Sequence, residues 1–110
     1  MQFDWDERKA AANIRKHGVS FEEAATVFHD PHHLSNLDRP HSIDEDRWIT
    51  IGVSYRLRVL VIVTTELVQD DAAEDDEIDD LMVRVISARQ ASRSEVRHYE
   101  EARKRSSRGS

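Results

Sequence analysis

A chain of 110 residues favours one domain, and the absence of cysteine excludes disulfides and thiolate metal sites. The longest apolar run, residues 59–63, is too short to span a bilayer, and Asp4, Asp6 and Glu7 directly after Met1 leave no secretory signal, so a cytoplasmic protein without membrane contact is expected. The net charge of −6 is unevenly held: residues 66–80 carry nine acids and no base, which leaves 13 acids against 16 Lys and Arg elsewhere, a mildly basic body compatible with RNA.

Gln2-Phe3-Asp4-Trp5 alternates as a short half-buried strand does. Asp6 is placed to cap a helix over Glu7 to His17 with Ala10, Ala11 and Ile14 as its apolar stripe, and Gly18 ends it. Ser20 and Glu23 form a capping box for a second helix, whose face is Phe21, Ala24, Ala25 and Phe28 and which stops at Asp30-Pro31. Residues 32–46 have no period and read as a loop. Ile49, Ile51 and Val53 then alternate with Trp48, Thr50 and Gly52 in a strand from Arg47. A turn over 54–57 leads into a β-branched run over 58–65, as in a central strand. The acidic stretch 66–80 has little to bury and reads as a mobile loop. Residues 81–87 return as a strand. A second capping box, Ser92 and Glu95, opens a helix with Val96, Tyr99 and Ala102 on one side, and residues 106–110 read as a disordered tail. The expected fold is α+β: one domain over 1–105, an antiparallel sheet of about four strands, two N-terminal helices and one C-terminal helix.

Three groups of residues, in order along the chain, resemble the BrnT toxin family. The first is Phe3-Asp4-Trp5-Asp6, Lys9, Asn13, Lys16-His17-Gly18-Val19-Ser20-Phe21-Glu22-Glu23-Ala24 and Val27-Phe28-His29-Asp30-Pro31. The second is Arg47 with Ile51-Gly52; the third is Arg84-Val85-Ile86-Ser87-Ala88-Arg89 with Glu95 and Tyr99. The resemblance implies a RelE-like fold, RNA cleavage that halts translation, and a BrnA-like antitoxin. That ribbon-helix-helix partner would make the complex a repressor of its own operon, with operator DNA bound only through it. Two departures stand out: the acidic stretch is longer than the family's turn, and Thr64 occupies the place of a histidine before Thr65-Glu66. The alternative reading is therefore a toxin homologue weak or inactive in catalysis, kept as a partner-binding corepressor.

RNA cleavage without a metal needs a base for the ribose 2′-hydroxyl, an acid for the leaving oxygen, and cations for the charged phosphorane. Arginine suits the last role. Arg84 reads either as a phosphate-binding group on a sheet surface or as a solvent-facing residue with a carboxylate partner. Arg89 reads as a phosphate ligand or as the partner of an acid from the first helices. Arg58 has the parity of Leu60, Ile62 and Thr64 and approaches Arg84 if the strand register allows. Lys9 is a further cation. His17 is a candidate acid or base, or a helix-end cation facing the dipole, and His41 is a candidate proton carrier in a loop. Trp5 reads as core, and Trp48 as core, partner anchor or a stacking platform. His29, His32, His33 and His41 match no familiar zinc spacing, and glycine is too scarce for a phosphate-cradling loop, so no metal or cofactor is expected.

Overall fold

Asp6 and Gly18 bracket the first helix by local chemistry alone. In the structure, a computed structural model describing residues 1–41, 46–67 and 82–108, helix α1 spans Glu7–His17. The Asp6 carboxylate accepts from the amides of Arg8 (2.8 Å) and Lys9 (3.2 Å). Gly18, at φ +69°, takes the left-handed conformation that releases the chain. The helix turns Ala10 and Asn13 inward; Ile14, expected on the apolar stripe, is half exposed. Helix α2 (Phe21–Thr26) follows, with Ser20 accepting from the Glu23 amide at 3.0 Å, and a 3₁₀ turn over Val27–His29 ends before Pro31. Only half of the expected capping box forms, because the Glu23 carboxylate turns into the protein instead of back to Ser20.

The sheet has five strands: β1 (Gln2–Asp4), β2 (Leu34–Leu37), β3 (Arg47–Val53), β4 (Val59–Leu67) and β5 (Met82–Gln90), in the order β1-β5-β4-β3-β2. The expectation of about four antiparallel strands is corrected twice. β1 pairs parallel with β5, so the sheet is mixed. The stretch expected as a loop after Pro31 contains β2, an edge strand antiparallel to β3, and a 3₁₀ turn over Arg39–His41. β2 has no alternation because it covers a free edge; its Ser35 hydroxyl meets that of Thr50 at 2.7 Å. The acidic stretch begins inside β4, at Glu66 and Leu67; the rest of it, like the last two residues of the expected tail, lies outside the described residues. Helix α3 runs over Arg93–Arg108, further than the expected boundary at 105.

The two faces of the sheet carry different layers. Leu60, Ile62, Val85 and Ala88 point to one face and pack on Ala10, Val19, Phe21, Ala24 and Val27, with Trp5 edge-on to Phe21. We call this the proximal face. On the distal face, Ile51 and Val61 pack against Tyr99 of α3, with Leu34, Val53 and Val59 around them. The Tyr99 hydroxyl donates to Asp30, whose carboxylate also accepts from the amides of Val53 and His32 (both 2.9 Å), so α3 is anchored to the loop before β2. Burial acts to raise the Asp30 pKa, but these hydrogen bonds prevail and hold it below its ordinary value.

The β3–β4 hairpin turns through Tyr55-Arg56-Leu57, with Leu57 at φ +63° and 85% exposed. A side chain with a Cβ is strained in the left-handed region, and this one packs on little. Leu57→Gly is expected to raise stability by about 0.5–1 kcal/mol, read as an increase in the urea midpoint at unchanged slope.

Candidate active site

Arg84 and Arg89 are five residues apart, and in a regular strand an odd separation puts side chains on opposite faces. A register shift between Val63 and Thr64 changes this. Val63 pairs with Ser87 and Thr64 with Val85, leaving Ile86 as an extra residue in β5. The bulge restores matching parity, so both arginines lie on the distal face. Arg84 shares one rung with Asp4, Thr65 and Arg47, drawn from four strands. Arg89 shares another with Val61, Ile51 and Leu34.

Arg84 is 52% exposed and meets Asp4 at 2.9 Å, a surface contact that a phosphate can displace. Arg89 is held more firmly: its guanidinium makes two bonds to Glu95, at 2.7 and 2.8 Å, so its acidic partner comes from α3 and not from the first helices. Glu95 also accepts from the Ser92 amide at 2.8 Å while Ser92 receives the Glu95 amide at 3.3 Å, a complete capping box. Arg89, against the opposing effect of burial, holds the Glu95 carboxyl far down, at about 2. A carboxyl so depressed contributes stability that is full above its unfolded value of about 4.3 and is lost as pH falls toward 2. Both partners are at least one-third exposed, so Glu95→Gln is expected to cost no more than about 1 kcal/mol at pH 7 and to flatten this part of the acid titration, measured by urea melts from pH 2 to 6.

The other sequence candidates lie elsewhere. Lys9 and His17 sit on α1, against the proximal face. Arg58 directly precedes β4, seven residues before the Thr65 that pairs with Arg84, or roughly 23 Å along the chain. It binds both carboxylate oxygens of Glu23 and donates to the Gly18 carbonyl at 3.2 Å. Glu23 is 2% exposed and also accepts from the Ser54 hydroxyl at 2.7 Å. Arg58 chiefly, against burial and with help from Ser54, keeps its pKa below the ordinary value. His41 closes the turn after β2; its side chain is outside the described residues. Trp48 pairs with Thr64 on the proximal face. Thr64 is itself 2% exposed and faces the same way, on the side opposite the arginines.

One part of the distal face was not anticipated. Between the sheet and α3 lies a groove of about 320 Å³, floored by Leu34, Ile49, Ile51 and Val61 and edged by Asn36, Ser94, Glu95 and His98. His98 carries no local sequence signal beyond lying one helical turn after Glu95. Cations for a phosphate, an imidazole and an apolar floor thus share one sheet face.

Residues 5–95 match the family model described as ribonuclease toxin, BrnT, of type II toxin–antitoxin system. The chain belongs to the BrnT family. The 1.1 Å crystal structure of the Brucella abortus ribonuclease toxin BrnT is similar in fold, with a TM-score of 0.55 at 23% identity over 84% of this chain and 99% of that one. A search of curated proteins gives no match. The BrnT fold here is α+β, a five-stranded mixed sheet with three helices, and among the described residues no helix is long and apolar enough to cross a membrane.

Proposed function

We propose that this BrnT-family chain is a metal-independent endoribonuclease whose RNA lies on the distal face of a RelE-like sheet, and that its activity inhibits translation in the cytoplasm. The observation that carries the reading is the bulge at Ile86, which brings the exposed Arg84 and Arg89 to the sheet face that also holds the groove. Two guanidiniums there, on rungs four residues apart along β4 and so roughly 13 Å apart, can hold different phosphates of one strand, and either can stabilise the phosphorane. The family assignment supports an antitoxin partner, which we propose to be a BrnA-like ribbon-helix-helix protein that covers this face and contacts operator DNA on the toxin's behalf.

The test is RNA cleavage by the purified protein, with naked RNA and with translating ribosomes, in EDTA and in the presence of the antitoxin. Arg84→Ala and Arg89→Ala are each expected to lower kcat/KM by about 10²–10³ with the fold retained, the loss seen when one transition-state donor is removed. Full activity in the double variant moves the site away from this face, and cleavage abolished by EDTA overturns metal independence.

A further inference from the structure

We infer that the groove beneath α3 is a nucleobase pocket, which takes one unstacked base of single-stranded RNA and reads it with Asn36 and His98. The inference rests on the ribonuclease reading and deepens it. Leu34, Ile49, Ile51 and Val61 give a flat apolar floor, and a cavity of about 320 Å³ lies at the small end of ligand sites, the size for a single nucleotide and not for a duplex. Asn36 and His98 stand at its edge, exposed, and neither side chain has a hydrogen-bond partner among the described residues. A carboxamide presents a donor and an acceptor together, as the hydrogen-bonding edge of a base does, and an imidazole can stack or bond.

The charges around the groove favour RNA over an acidic or apolar peptide. The neighbouring hollow shares Leu34, Asn36 and His98 and is closed by Arg105, which is placed for the phosphate on one side of the bound base. Arg89 lies on the rung of Leu34, Ile51 and Val61, with its guanidinium committed to Glu95, which leaves Arg105 and His98 as the groups that meet the backbone. The one carboxylate at the edge, Glu95, is already neutralised by Arg89 and does not repel the backbone. Sequence-specific RNA recognition works on splayed single-stranded bases in this manner.

The experiment is fluorescence anisotropy with a 2′-O-methyl RNA decamer, which cannot be cleaved at the 2′-hydroxyl, used as a single strand and annealed to its complement. Asn36→Ala, His98→Ala and Ser94→Phe, the last filling the groove, are compared with the native chain, and thermal melts check that each folds. The single strand is expected to bind at least tenfold tighter than the duplex, and each variant to weaken it by about tenfold. Asn36→Ala is also expected to change which base is preferred at the cleavage point, read as kcat/KM on RNAs that differ at one position. Equal binding of strand and duplex overturns the pocket, as does native affinity in all three variants. If Arg84→Ala abolishes cleavage while the groove variants keep native affinity and base preference, the ribonuclease stands and the pocket falls. Loss of antitoxin binding in the groove variants with RNA binding intact makes the groove a protein-docking site and overturns the inference in the same way.

Discussion

Glu23→Ala is expected to destabilise the protein by about 3 kcal/mol, because the carboxylate it removes is buried and fully engaged. With Glu23 absent, the Arg58 guanidinium, 23% exposed, keeps only the Gly18 carbonyl, and the Ser54 hydroxyl loses its acceptor. Removing one member of a buried pair leaves the other charge uncompensated, and that penalty exceeds the worth of the pair itself. Replacing both members by apolar residues, as in Glu23→Leu with Arg58→Met, is therefore expected to recover most of the loss in urea denaturation. A double variant as unstable as the sum of its singles would show that the two groups do not act together. The pH dependence supplies a second sign. In the native chain Glu23 lies below its ordinary pKa, so its contribution is present above the carboxylate range and is lost on acidification. In Arg58→Met the largest lowering influence is gone and burial is opposed only by Ser54 and by Arg56 at 3.8 Å, so the loss of stability on acidification is expected to shrink.

Asn13→Ala is expected to cost a similar amount, also about 3 kcal/mol, through the backbone. β1 covers β5 only over Gln2 to Asp4, so among the described residues the outer edge of β5 beyond Arg84 has no strand beside it. Asn13 takes that place: its amide group donates to the carbonyls of Ala88 and Val19, both at 2.8 Å, and its carbonyl accepts from the Ala88 amide at 3.2 Å. Ala88 is fully buried, so truncation leaves polar backbone groups without water or partner. Asn13→Asp is expected to be worse than alanine at pH 7, since a carboxylate facing two carbonyls accepts where it must donate, and to recover in part on acidification, when a protonated acid can donate once. Hydrogen exchange at Ala88 and the urea midpoint read both effects. An Asn13→Asp variant as stable as the native chain would show that the two donated bonds contribute nothing.

What was legible in the sequence was local. The Asp6 cap, the Gly18 exit and the Ser92–Glu95 box form because each needs only neighbours within one turn. β3 and β4 followed from alternation and β-branching. β2 was not legible, because four residues with polar centres become a strand only where β3 offers an edge. Glu23 was read as a capping residue, and the local pattern supported that; Arg58, 35 positions away, competes for the same carboxylate and prevails. Arg84 and Arg89 stood out through family resemblance, but their shared face depends on one unpaired residue whose effect no spacing rule contains. His98 and Asn36 were missed because isolated polar residues on an exposed helix and an edge strand look like solvated surface until the groove between them is built.

The parallel pairing of β1 with β5 has a consequence for the order of assembly. Residue 2 finds its partner at residue 82, across nearly three-quarters of the chain, and parallel pairs of such separation close late. During synthesis β1, α1 and α2 emerge first and have no β5 to pack on, so the rung of Asp4, Thr65, Arg47 and Arg84 cannot exist on a growing polypeptide. The arginine face therefore forms only when β5 joins a sheet whose other strands all precede it in the chain.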